Sequence, residues 1–215
     1  MEFTEVLTQR HSVREFSSRP VEREVLREIV QLAQHTPSWA NAQPVRVYVV
    51  SGQAAVRLRQ EHEKRVQEGE PARAEIAPMA RADWPERYQE IMRQWTVEFK
   101  KTFEPGQVHF NQAQAQLFRA PAFAFLTVPR GIFDWALLDA GAFAHALMLA
   151  AYDRGVDSII AYSTVLYPDE VRAAAGIPDS EMLAVGIALG YASENPLNSF
   201  VPSRISTDEV VTFVE

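Results

Sequence analysis

Arg10-His11-Ser12-Val13-Arg14 and Pro37-Ser38-Trp39-Ala40-Asn41-Ala42-Gln43-Pro44 are the two stretches from which this chain is read, and the second runs straight into Val45-Arg46-Val47-Tyr48-Val49-Val50. The first sets two guanidinium groups either side of a hydroxyl in a chain of net charge -7. A guanidinium is always charged and its fork matches phosphate oxygens, so paired arginines around a serine suit a phosphate monoester. Surface pairing with Glu5 or Glu15 is the commoner fate of such arginines, and these residues alone leave both readings open. The second stretch places Asn and Gln amides in a proline-bounded loop at a strand entrance, where polar recognition is common. Taken singly, its Pro and Asn would also serve as an ordinary helix-ending turn.

Outward from these stretches the pattern alternates between helix and strand periods. Residues 21–34 carry Val25, Leu26, Ile29, Val30 and Ala33 at three- and four-residue spacing, which predicts a helix that Pro37 ends. Residues 45–50 predict a strand, and Gly52 turns the chain into a charged helix over 54–67. Gly69, Pro71 and Pro78 break the pattern over 68–83. Trp84, Tyr88, Met92, Trp95, Phe99 and Phe103 then line one helical face up to Pro105-Gly106, a stripe that favours core packing over a substrate lid. Further strands are expected over 122–128, 156–162, 182–190 and 209–214, with a short helix over 168–175. Between them a long apolar helix begins near Asp134 and runs over 135–152, interrupted by Asp139, Gly141 and His145. It reads as a core helix and not a membrane span, with His145 hydrogen-bonded inside the core. His62, between Glu61 and Glu63, reads as a solvated helix residue. The expected architecture is α+β, a single domain over 1–215 with an excursion at 67–110.

Composition removes several functions. The 215 residues include no cysteine, which excludes disulfides, thiolate nucleophiles and cysteine-held zinc or iron–sulfur centres. No HExxH spacing indicates a metal, no GxSxG a nucleophile elbow, and no GxGxxG a stably bound Rossmann dinucleotide. Without a basic tract, nonspecific nucleic-acid binding is not expected. Met1-Glu2-Phe3-Thr4-Glu5 lacks the basic-then-apolar pattern of a signal peptide, so a cytoplasmic location is expected and no membrane partner.

Several motifs together carry a resemblance. They are the Arg-x-Ser-x-Arg segment, the Ser-x-x-Asn-x-Gln-Pro loop, Ala120-Pro121, the helix reaching Arg154 and Gly186-Ile187-Ala188-Leu189-Gly190-Tyr191. The closing Asn195-Pro196-x-Asn198-x-Phe200-x-x-x-Arg204 completes the set. The chain resembles the nitroreductase family of FMN-dependent oxidoreductases, and within it the single-domain branch that includes nitrobenzoate reductases. Only residues 67–110 match poorly. The resemblance implies a central mixed sheet flanked by helices, a long buried helix at a homodimer interface, and a C-terminal arm and strand exchanged with the partner.

It also implies a site. Arg10, His11, Ser12, Arg14 and Arg204 would hold the FMN phosphate and ribityl chain. The often basic position ahead of Arg204 is Pro202, which predicts a weaker hold. Pro37, Ser38, Trp39 and Asn41 would reach the flavin of the opposite subunit, with Trp39 bulkier than the family's usual residue. Ser163, Thr164 and Val165 would present the backbone N–H that meets flavin N5 and O4. Gln114 and Gln116 fall where the family places an amide and a basic residue near N3 and O2. Gln116 brings no charge, which predicts a flavin harder to reduce. The implied activity is ping-pong hydride transfer: NAD(P)H visits transiently, and a small aromatic acceptor such as a nitroarene or quinone takes its place. No side chain is required as an obligatory acid or base. The alternative is a flavin-binding carrier or sensor without turnover, which Gln116 and Pro202 keep in view.

Overall fold

Ala122-Phe123-Ala124-Phe125-Leu126-Thr127-Val128 is apolar without alternation, the signature of a strand covered on both faces. The computed structural model describes residues 1–131 and 134–215, and in it this run is the buried strand β2 (Ala122–Pro129). With β1 (Arg46–Ser51), β3 (Asp157–Ile160) and β4 (Glu181–Gly190) it forms a four-stranded sheet in the order β1-β2-β4-β3. Successive side chains of β2 enter different layers. Phe123 and Phe125 join Leu58, Leu117 and Leu183 beneath α3 (Gly52–Gln67), α5 (Phe110–Ala115) and α7 (Pro168–Ala175). Ala122, Ala124 and Leu126 join Leu26, Ile29, Leu147 and Ile187 beneath α2 (Arg23–Ala33) and α6 (Asp134–Asp153). Helices α1 (Phe3–Gln9) and α4 (Glu86–Thr102) complete the set.

Two expectations about the sheet change. All three pairings between named strands are antiparallel, and the mixed character implied by the resemblance is confined to a parallel bridge between Ser12 and Ser158. The strand expected over 209–214 is not formed. Thr207–Glu209 is a 3-10 turn and the exposed residues 210–215 have no regular structure. A β-branched run supplies propensity, but a strand exists only when a ladder partner takes its N–H and C=O groups. The strand expected to reach residue 162 stops at Ile160, because Tyr162–Val165 winds into a 3-10 turn.

Both histidine readings are corrected. His62 is fully buried, with Nδ1 2.6 Å from Glu170 Oε1 and its ring 5.3 Å from that of Tyr167. Ala55, Leu58 and His62 occupy one face of α3 at three- and four-residue steps, and that face packs on α7. Helical phase, not the flanking glutamates, decides the direction of the imidazole. His145, expected in the core, lies exposed on the outer face of α6 beside Gly141 and Ala142. Trp135 and Leu138 share that face at 61% and 63% exposure, while Ala136, Ala140, Phe143, Ala144 and Leu147 face inward. Among the described helices, α6 alone has the length and apolarity of a membrane span, and it packs on α2, β2 and β3.

The aromatic stripe of α4 divides. Trp95 stacks on Phe99, and Phe99 meets Phe103, Phe110 and Phe200 at 5.1–5.2 Å between centroids. Trp84 and Tyr88 stand exposed. The irregular stretch before α4 is pinned by Glu75, which accepts from Arg130 (2.8 Å), Arg172 (2.7 Å) and Leu183 N–H (2.6 Å). Burial would raise its carboxyl, but these donors hold it below the usual glutamate range.

Candidate functional site

Leaving α1, residues 10–16 run extended beside β3: Val13 N–H donates to Ser158 O (3.1 Å) and Phe16 N–H to Phe118 O (2.9 Å). Their other side meets the segment that follows β4. Buried Arg14 donates from Nη1 to Ser12 O (3.0 Å) and Phe200 O (3.1 Å), and its guanidinium lies 5.2 Å from the Phe200 ring centre. Arg14, expected as a phosphate contact, thus already ties the two ends of the chain together. Phe200 is buried between Trp95 and Phe99, so the arm is anchored immediately before Arg204.

This anchoring brings Arg204 to Arg10. Burial, followed by the Arg204 charge, holds the Arg10 guanidinium below its ordinary value. Arg204 donates to the carbonyls of Pro202 and Ser203, 3.0 Å each. Ser203, between them, donates its N–H and hydroxyl to Glu98 of α4. The half-buried Arg10 guanidinium therefore feels the charge of the exposed Arg204 from the other end of the chain, the electrostatics that an anion relieves. Ser12 and His11 are half-buried alongside, with His11 Nδ1 3.1 Å from Gln9 O.

Following β3, the turn Tyr162–Val165 buries Ser163, Thr164 and Val165. Thr164 Oγ1 donates to Ala161 O (2.6 Å) and Thr164 N–H to the same oxygen (3.2 Å). Gly186 of β4 lets this turn approach: a Cβ there would lie 2.8 Å from Thr164 Cβ and 2.9 Å from Phe125 Cε1. Ser163 Oγ is buried and has no hydrogen-bond partner among the described residues, an orphan polar atom of the kind a ligand satisfies.

The loop from Pro37 to Pro44 is braced from within. Gln43 N–H donates to Ser38 Oγ (2.9 Å), and the Gln43 amide donates to Asn41 Oδ1 (3.1 Å) and Asn41 O (3.3 Å). Ala40, Asn41 and Gln43 adopt φ of 47°, 58° and 48°, uncommon for residues with a Cβ. Trp39 N–H donates to Asp139 Oδ2 on α6 (3.2 Å), and the Trp39 indole stands exposed. None of the loop's hydrogen bonds among the described residues reaches the arginine segment or the Ser163 turn; the loop is joined to the outer side of α6 instead.

Gln114 is half-buried on α5. Gln116, just beyond, spends both ends of its amide: Nε2 donates to Glu63 Oε1 (2.9 Å) and Oε1 accepts from Arg119 Nε (2.9 Å). Arg119 also pairs with Glu15 at 3.2 Å. Burial, then the Arg119 charge, holds Arg59 below its ordinary value. Positive charge therefore does stand beside Gln116, supplied by residues to which the sequence motifs assigned no role. The sequence signal was the position of Arg119 immediately ahead of Ala120-Pro121.

Known proteins share this fold. Residues 7–191 match the profile of the nitroreductase family. The chain is 28% identical to the chloronitrobenzene nitroreductase of Comamonas testosteroni, over 98% of this chain and 96% of that protein. It is 26% identical to a 4-nitrobenzoate reductase of Pseudomonas putida, over 90% and 87%. Its fold superposes on the crystal structure of the FMN-dependent nitroreductase NfnB from Mycobacterium smegmatis in complex with NADPH with a TM-score of 0.88. That superposition carries 27% identity and covers 99% of this chain and 97% of that one. Matched in sequence from α1 to the end of β4 and in fold from end to end, the chain belongs to the nitroreductase family.

Proposed function

We propose that this protein is an FMN-dependent NAD(P)H oxidoreductase that reduces nitroaromatic compounds, with quinones as further acceptors. The observation that carries the reading is that the C-terminal arm, bonded to the N-terminal arginine segment through Asn198 and Phe200, returns Arg204 to where its charge acts on Arg10. A half-buried arginine with a second, exposed arginine acting on it is stabilised by a ligand bearing about two negative charges, which a phosphate monoester supplies near neutral pH. Ser12 and His11 add polar groups at the same place. The unpartnered Ser163 hydroxyl, in the turn after the strand that Ser12 bridges, is a second polar position of the same ligand. Bound FMN would supply two-electron hydride chemistry between NAD(P)H and a nitro group. The chain's own part is to grip the phosphate with Arg10, Ser12 and Arg204, to line the ring with the turn at 163–165, and to shield it from water. The charge of Arg119, bonded to Gln116, favours electron-rich flavin at the position where Gln116 brings none.

The active form in this reading is a homodimer. The outer face of α6 exposes Trp135, Leu138, Gly141 and Ala142, an apolar stripe that the chain itself leaves bare. The outer edge of β1 is unpaired among the described residues. A 740 Å³ groove beside it is lined by Leu26 and Val30 of α2 and Val47 and Val49 of β1, together with Arg23, Arg27, Gln31 and Gln34. Residues 210–214, exposed and β-branched except for Phe213, suit that edge in a second copy. Pro37, Ser38, Trp39 and Asn41 stand beside α6, where they would reach the partner's flavin. A reducing, cytoplasmic setting suits a chain without cysteine.

Purified protein should retain FMN or take it up at one per chain. Anaerobic NAD(P)H should bleach the visible flavin absorbance, and a nitroarene should restore it. Protein that takes up no FMN ends the reading, and FMN-loaded protein that keeps its colour under NAD(P)H would be a carrier and no enzyme.

A further inference from the structure

We infer that Asn198 is the positioning residue that builds the phosphate site, by clamping the N-terminal arginine segment to the C-terminal arm. This rests on the reading that Arg10 and Arg204 grip the FMN phosphate. The carboxamide of Asn198 spans the two segments. Its Oδ1 accepts from Arg14 N–H (2.8 Å) and Glu15 N–H (3.1 Å). Its Nδ2 donates to Glu15 O (2.8 Å) and Ser193 O (3.0 Å). The orientation of the amide follows from these partners: turned over, it would set its NH2 against two N–H groups and its oxygen against two carbonyls.

The clamp carries the pairing of the two segments one step further than the backbone does. Residues 12–16 touch the sheet on one side, through the bridge from Ser12 to Ser158, and the continuation of β4 on the other, through the antiparallel bridge from Phe16 to Ala192. That second pairing ends at Ser193 and Glu15, and the Asn198 amide extends it to the N–H groups of Arg14 and Glu15. Ser193 adds its N–H and hydroxyl to Glu15 O at 3.1 Å each, so the contact is a patch and not a single bond. Beyond the clamp the arm stays in register, because Phe200 is seated between Trp95 and Phe99 and takes Arg14 through its carbonyl. Arg10 and Arg204 repel one another, so a tether must hold them at the spacing that an anion then bridges. Asn198 is 184 residues from Arg14 along the chain, yet in space it joins Arg14 and Glu15 to the arm that carries Arg204 directly. The tether is neutral by design of its partners: an aspartate would turn a second oxygen toward two carbonyls.

The consequence is selective. Asn198 governs grip on the phosphate and leaves contacts to the ring alone, so its loss should lower the preference for FMN over riboflavin, which lacks the phosphate. The test is displacement of FMN from the holoprotein by riboflavin, followed by flavin fluorescence, for the unaltered protein and for Asn198→Ala, Asn198→Asp and Arg204→Ala. All three substitutions should lower the FMN-over-riboflavin preference about tenfold or more, the scale of one or two lost hydrogen bonds to charged or buried groups. A preference unchanged in both Asn198 variants but lowered by Arg204→Ala would overturn the positioning role and leave the phosphate reading standing. Equal weakening of both flavins would assign Asn198 a general structural role and overturn the proposal equally. A preference untouched by Arg204→Ala would remove the phosphate reading, and the clamp's function with it.

Discussion

At the scale of single residues, charge and hydrogen-bond accounting separate binding groups from structural ones. Arg10 and Arg204 are brought together with their guanidinium groups free of acidic partners among the described residues, whereas Arg14 is already committed to Ser12 and Phe200. Arg204→Ala should therefore weaken FMN retention by about 1.5–3 kcal/mol, the worth of a charge-assisted hydrogen bond. Flavin content after gel filtration should fall while the far-ultraviolet circular dichroism stays as it was; undiminished content would remove Arg204 from the site. His62 behaves oppositely, as a structural residue with a polar side chain. It ties α3 to Glu170 of α7, whose carboxyl burial pushes up while the His62 hydrogen bond opposes the shift. Removing one member of such a buried pair strands the other, so His62→Ala should cost about 3 kcal/mol in urea unfolding. Adding Glu170→Leu should recover part of that loss, and a strictly additive double variant would deny the coupling.

At the scale of elements, the sheet and its turn prepare the candidate site. Strand β2 is legible in the sequence because it is buried on both faces, and its phenylalanines and alanines sort themselves to opposite layers. Helix α7 is equally legible, since Pro168 opens it and Gly176, at φ 70°, closes it. The turn at Tyr162–Val165 is not, because its shape depends on Gly186 of a strand that follows it in the chain. Gly186→Ala would push the new Cβ against Thr164 and Phe125. The substitution should cost about 1–3 kcal/mol of stability by overpacking and should lower flavin affinity as the turn is displaced. A variant with unaltered melting temperature and flavin affinity would show that the turn does not need this close approach.

At the scale of the whole molecule, one chain leaves apolar surface that its own core does not cover. Helix α6 is apolar nearly all round, yet only its inner face is buried. Leu138→Asp places a charge in the middle of the bare stripe and should yield a monomer by sedimentation velocity, with flavin lost together with the dimer. A monomer that keeps FMN would show that the site is complete within one chain. Sequence by itself determined the α+β class, the strands at 45–50, 122–128 and 182–190, the helices at 21–34 and 168–175, and the family, because each rests on local periodicity or on residues close together in the chain. Tertiary structure alone decided the rest. It buried His62 and exposed His145, because burial follows the phase of a helix against its neighbours and not the polarity of adjacent residues. It left residues 210–215 without a strand, because a ladder needs an edge from elsewhere. And it supplied the means, Asn198 and Phe200, by which the arm carrying Arg204 returns to the segment of Arg10, a closure that the resemblance implied and that only long-range hydrogen bonds and packing can build.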